Sequence, residues 1–183
     1  MRDLAEVQIR TGWLAIVALM AQAYVVFSSS DQLEAQRPLH AFLLIGSYVA
    51  LMLVVWANRR LFGVSVIGLG LVLNLAVMAA NGGFMPISKQ AIQVAGMRPV
   101  DTLPAEGARV SRTKDVLLPI EETRLQPLSD TITAPFMPVT ARVFSAGDLV
   151  IALGAFVLFQ AAMAPRRHRR PRTKRVEQPL RYG

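Results

Sequence analysis

Apolar positions in this chain gather into four long runs, at about Thr11–Ser28, His40–Ala57, Leu61–Ala80 and Ala146–Ala164. Each approaches the ~20 residues that a helix needs to cross a ~30 Å hydrocarbon core. Asp148 is the only acidic residue inside any of them, and it lies at one end. In hydrocarbon every backbone N–H and C=O must be satisfied within the segment, so such runs read as helices. The pattern predicts an all-α membrane protein. Its transmembrane domain is a four-transmembrane-helix bundle over residues 1–164, followed by a tail at 165–183.

Polar residues refine this picture. The segment from Asn81 to Phe144 mixes basic residues (Lys89, Arg98, Arg109, Arg112, Lys114, Arg124, Arg142) with acidic ones (Asp101, Glu106, Asp115, Glu121, Glu122, Asp130) and is rich in proline. It is much longer than an ordinary connection. The alternation in Ala108-Arg-Val-Ser-Arg-Thr-Lys114 and the apolar patch Val116-Leu-Leu-Pro-Ile120 predict short strands and turns resting on the membrane surface. Disorder competes with this reading near Met97–Arg109. Phe84-Met-Pro-Ile-Ser88 and Phe136-Met-Pro-Val-Thr140 form a small repeat bracketing the segment. In each, a proline after a large apolar pair suits a chain leaving a helix at the interface.

Charge sets the orientation. The net charge of +8 is concentrated in the tail, where Arg166, Arg167, Arg169, Arg170, Arg172, Lys174, Arg175 and Arg181 face a single acid, Glu177. Arg2 and Arg10 precede the first run, and Arg59 and Arg60 fill the short turn between the second and third. Lys and Arg concentrate on cytoplasmic flanks, so these regions predict both termini inside and the segment 81–144 outside. The tail is expected to lie on anionic lipid headgroups through Arg166, Arg167, Arg169 and Arg170 rather than on nucleic acid. The sequence contains no cysteine, which excludes disulfides and thiolate chemistry. His40 and His168 lie far apart, so no metal and no cofactor is expected.

Candidate chemistry falls on the outer side. A carboxylate at the edge of a span invites a functional reading, yet Ser145 and Asp148 also fit a capping box at a helix start. Asp130 precedes Asp148 on the same side, and a turn at Pro135 and Pro138 could join the two. A carboxylate pair sharing one proton activates water in aspartic proteases. Asn74 and Asn81, two turns apart on the third run, either bond a neighbouring helix or face the aspartates. Asn81-Gly82-Gly83 would let the backbone turn sharply. Ser111-Arg-Thr-Lys114 has the S-x-x-K spacing of penicillin-binding enzymes, but the companion motifs are missing.

Asn81-Gly-Gly-Phe-Met-Pro86 and Val143-Phe-Ser-Ala-Gly-Asp-Leu149 resemble an uncharacterised family of small bacterial membrane proteins, a domain of unknown function. A more distant resemblance is to lipoprotein signal peptidase (signal peptidase II), which has four spans and two catalytic aspartates. Asp130 and Asp148 match by order and spacing, Phe144-Ser-Ala-Gly-Asp148 is similar to its Phe-Asn-x-Ala-Asp motif, and Asn74 corresponds to its third-span asparagine. The sequence departs from that pattern at Ser145, which stands for asparagine. It also lacks the Asp-Arg pair after the third-span asparagine and the asparagine-glycine-alanine motif after span one.

Two functions follow. The first is a non-catalytic envelope accessory or assembly protein that meets a membrane or envelope partner through residues 81–144. The alternative is an intramembrane aspartic hydrolase, with Asp130 and Asp148 catalytic and Asn74, Asn81 and Ser145 in support. A lipid or solute carrier is disfavoured by the scarcity of polar groups within the spans.

Overall fold

The computed structural model describes residues 9–28, 35–97, 99, 102–134, 136–137 and 143–163. Four apolar helices dominate it: α1 (Gly12–Phe27), α2 (Arg37–Ala57), α3 (Phe62–Ala80) and α5 (Ala146–Met163). The helices α2, α3 and α5 are long and apolar enough to cross a membrane. The first, with 16 residues, is about 24 Å long at 1.5 Å per residue and falls short of that length. Trp13, Met20, Phe42, Trp56, Phe62 and Phe156 are all more than half exposed on the helix surfaces. Apolar rings facing outward are what a helix in lipid requires.

The helix ends follow from local chemistry. Pro38 opens α2, where its missing N–H costs nothing, so this helix begins before the apolar run itself. Asn58 closes α2 and ties it to the start of α1. Its amide donates to the Arg10 carbonyl at 2.9 Å, and its side-chain oxygen accepts from the Arg10 N–H at 2.9 Å. At the end of α3, Gly82 and Gly83 take φ of 76° and 94°. The Gly83 N–H returns to the Met78 carbonyl at 2.7 Å, closing the helix as a Schellman motif.

The helices form an open series. Helix α1 packs on α2, α2 on α3, and α3 most intimately on α5, while α1 and α5 barely touch. Glycines explain the close α3–α5 approach. A Cβ added at Gly70 would lie 2.5 Å from the Gly147 carbonyl oxygen, and one at Gly63 would lie 2.6 Å from the Leu158 nitrogen. The reciprocal positions Gly147 and Gly154 are equally tight against α3. Small residues at two-turn spacing let backbones approach, which is how helices associate where lipid removes the hydrophobic drive.

The segment between α3 and α5 folds as a cap on one end of these helices. Strand β1 (Met85–Ile87) pairs in parallel with β2 (Asp115–Leu117), in the register Met85 to Asp115. Between them lies the short helix α4 (Lys89–Val94), capped by Ser88, whose hydroxyl accepts from the Ala91 N–H at 3.1 Å. Residues 107–110 run antiparallel to β2, with the Gly107 N–H donating to Leu117 at 2.7 Å and the Val110 N–H to Asp115 at 3.0 Å. This hairpin covers part of the stretch for which disorder competed. On the far edge of β1, Asp130 bridges to Ile87, its N–H donating to the Pro86 carbonyl at 3.2 Å. A second pair joins β3 (Ile132–Thr133) to β4 (Val143–Phe144), antiparallel, just before α5.

One buried cluster runs from helices to cap through Val25, Leu44, Tyr48, Val77, Met78, Phe84, Met85 and Val116. Phe84 is buried with two guanidinium groups over its ring, Arg37 at 5.6 Å and Arg109 at 4.8 Å from the centroid. Cation–π contacts of this kind contribute about 0.5–2 kcal/mol each, and they fasten the start of α2 to the cap. Of the Phe-Met-Pro repeat, the first copy supplies β1, which is buried throughout. Residues 138–140 of the second copy, Pro135, and the basic tail after Met163 lie outside the described residues.

Candidate functional site

The site forms where the hairpin tip of the cap meets the last turn of α1, α3 near Asn74, and the start of α5. Ser145 stands just before α5 and Asp148 lies in its first turn. The Ser145 hydroxyl accepts from the Asp148 N–H at 3.0 Å, and the Asp148 carboxylate accepts from the Ser145 N–H at 3.1 Å. This reciprocal pair is a capping box. It also extends into a neighbouring helix. Asn74, fully buried on α3, donates to Asp148 at 2.7 Å and accepts from the Ser145 hydroxyl at 2.8 Å. Asn74 therefore reads both members of the cap at once, and the absence of a side chain at Gly147 gives it room.

Lys114 completes the environment of Asp148. Its ammonium lies 3.6 Å from the same carboxylate oxygen that Asn74 bonds. Burial pulls the Lys114 pKa down, but Tyr48 and the charges of Asp130, Asp148 and Asp115 outweigh it, so the group is raised and stays protonated. Lys114 is held there by the hairpin turn. Arg109 donates to the Thr113 carbonyl at 2.7 Å, the Thr113 hydroxyl donates to the Val110 carbonyl at 2.8 Å, and the same hydroxyl accepts from the Asp115 N–H at 3.0 Å.

The partner of Asp130 is Asp115. Both side chains are buried, at 4% and 6% exposure, and they are hydrogen-bonded to each other. Burial raises both pKa values, and for Asp130 the adjacent Asp115 charge raises it further, while Lys114 lowers both. One Oδ1 of each residue is buried without a donor. A proton carried by one of the pair supplies the donor that both lack, so the two titrate as a unit.

All of these carboxylates line one cavity of about 290 Å³, bounded by Val26, Met97, Arg112, Thr113, Lys114, Asp115, Asp130, Val143, Phe144 and Asp148. Asp130 and Asp148, paired in the sequence reading, thus share a cavity and an electrostatic field, but each has a different hydrogen-bonding partner. Asn74 and Ser145 join Asp148. Asn81 is used elsewhere: its amide donates to the Val77 and Arg124 carbonyls at 2.8 and 2.9 Å, and its oxygen accepts from the Arg124 N–H at 3.0 Å, pinning the cap to α3. Sequence reasoning assigned Asp115 no role and met Lys114 only in the S-x-x-K spacing Ser111–Lys114. The available signal was a Lys-Asp pair opening an apolar strand, where opposite charges enter a core together. Among the described residues, no group of three or more His, Asp or Glu side chains is placed to hold a metal ion.

No curated protein and no solved structure matches this chain. A family model does match, over residues 6–160. That range contains every residue of the cavity, and the chain belongs to the family of unknown function DUF5317.

Proposed function

We propose that this protein is a membrane-embedded hydrolase of the aspartic type, with Asp115 and Asp130 as the pair that activates water. The hydrogen-bonded carboxyl pair carries this reading, because it is buried, short of one proton donor and open to a cavity. Two carboxyls sharing one proton provide a general base and a general acid at a single point. The ionised member takes a proton from water as the water oxygen bonds to a carbonyl carbon, and the protonated member donates to the carbonyl oxygen. The proton taken from water then passes to the leaving heteroatom as its bond to that carbon breaks, and the carbonyl proton returns to the pair. The Lys114 ammonium, anchored by Asp148, supplies positive charge beside that developing oxyanion. Asn74 and Ser145 fix Asp148, and so act on the reaction by positioning.

In this reading α1 joins the three longer helices as a fourth span, and the tail binds anionic headgroups through Arg166, Arg167, Arg169 and Arg170. The chain sits in a bacterial cytoplasmic membrane with both termini inside. The position of Arg59 and Arg60 at the end opposite the cap supports this arrangement, which leaves the cap and cavity on the outer surface.

The test combines infrared spectroscopy and complementation. Wild-type protein in nanodiscs at neutral pH is expected to show a protonated carboxyl band that disappears in Asp130→Asn. The same variant should fail to complement a deletion strain. A general acid–base pair contributes about 10²–10⁴-fold, so full complementation by Asp130→Asn and by Asp115→Asn would overturn the proposal.

A second reading, a non-catalytic envelope accessory, is favoured by a different observation. The cap carries a separate cavity of about 230 Å³ between α4 and residues 120–133, bordered by exposed Val94 and Ile120. It suits an apolar segment of a partner protein. In that case Val94→Asp and Ile120→Asp would abolish complementation while both aspartate variants keep it.

A further inference from the structure

The charges around the main cavity are not balanced evenly. Asp148 is held by Asn74, Ser145 and Lys114. Asp115 and Asp130 are buried and hydrogen-bonded to each other. Arg112 also lines the cavity, yet it is exposed and has no hydrogen bond or ion pair among the described residues. It sits at the hairpin tip with φ 64°. Glycine or asparagine ordinarily fills this left-handed position, which costs a residue with a larger side chain about 1–2 kcal/mol. Here it carries a guanidinium, the side chain best shaped for a two-pronged bond to phosphate or carboxylate.

Much of the rest of the wall is apolar. Val26 comes from the last turn of α1, and Val143 and Phe144 immediately precede α5. The cavity is thus bordered by the end of α1 and the start of α5, two apolar helices that are not packed on each other among the described residues. A volume of about 290 Å³ is at the lower limit of pockets that enclose a drug-sized molecule. It accommodates a headgroup but not an acyl chain.

We infer that the cavity takes an anionic amphiphile, its phosphate or carboxylate held by Arg112 and Lys114 and its apolar chain lying between α1 and α5. This names the substrate class of the proposed hydrolase and rests on that reading for turnover, though not for binding. The bond to be cleaved would lie beside the headgroup, above Asp115 and Asp130.

Full-length protein in phosphatidylcholine nanodiscs can be titrated with dioleoyl phosphatidic acid, with inorganic phosphate as the chain-free arm, and read by native mass spectrometry. Comparing variants that share one tail cancels lipid bound there. Phosphatidic acid should bind at least tenfold more weakly to Arg112→Ala, near wild-type strength to Arg112→Lys, and at least tenfold more weakly to Val26→Trp, which fills the wall without altering charge. Phosphate alone should bind at least a hundredfold more weakly than the lipid. Undiminished lipid binding by Arg112→Ala would overturn the inference, and so would phosphate binding as tightly as the lipid. Asp115→Asn and Asp130→Asn separate the two proposals. If they bind the lipid and still complement, the hydrolase reading fails and the binding site stands. If they fail to complement while Arg112→Ala binds normally, the binding site fails and the hydrolase stands.

Discussion

The two helix pairs at the ends of the series, α3–α5 and α1–α2, are built differently. Between α3 and α5 the glycines at positions 63, 70, 147 and 154 bring backbone against backbone, and a buried polar triad of Asn74, Ser145 and Asp148 crosses the seam. Between α1 and α2, Gln22 donates a hydrogen bond to Ser47 at 2.9 Å between the helix interiors. The first pair holds the carboxylate of the site in a fixed position, while the second supports a helix whose other flank is open. The close backbone packing and the buried polar contacts thus coincide at the α3–α5 seam.

The largest effect should come from filling the seam. Gly147→Val directs a side chain into Asn74, and Gly70→Leu meets the α5 backbone. Overpacking typically costs 1–3 kcal/mol, more where backbone must move, so a loss of about 3 kcal/mol is expected for each. Thermal unfolding in detergent measures it, and an unchanged melting temperature would show that the seam is not tight. Asn74→Ala ranks next. It strips Asp148 and Ser145 of a buried partner, at a cost of about 1–3 kcal/mol. Asn74→Asp should not rescue stability, because it places a second carboxylate against Asp148.

A third expectation concerns pH. Asp115 and Asp130 titrate above the ordinary carboxylate value, so the folded chain holds their protons more tightly than the unfolded one. Their contribution to stability is therefore complete below about pH 4 and is lost as pH rises through the raised folded values. Melting temperature measured from pH 4 to 8 should fall, and Asp130→Asn should flatten the slope. Lys114, also raised, contributes stability that is complete below about pH 10 and is lost only at more alkaline pH. The smallest effect belongs to the α1–α2 pair: Gln22→Leu should cost about 0.6 kcal/mol, an average value for interhelical hydrogen bonds in membranes. A loss as large as that of Asn74→Ala would remove the contrast between the two pairs.

The helices were legible because hydrocarbon imposes one rule on every residue of a run, and the apolar stretches ending near Phe27, Ala57, Ala80 and Met163 obey it. Ser145 and Asp148 were legible as a cap because capping acts over three residues. The same two residues also engage Asn74 across the seam, and that contact depends on the glycine spacing of two distant helices. Asp115 was hidden for a related reason. Its neighbours in sequence are an apolar strand, and its hydrogen-bonding partner Asp130 reaches it from the opposite edge of β1. Local patterns do not report pairings made across a third strand.

The last helix has a consequence for biosynthesis. Asn74, Lys114, Asp115 and Asp130 are all translated before α5, but the carboxylate that anchors Lys114 arrives only with Asp148. A chain whose synthesis had not yet reached α5 would hold Lys114, Asp115 and Asp130 without the carboxylate that pairs with Lys114. In the proposed hydrolase, the order of translation would leave Lys114 without its anchor until α5 packs on α3.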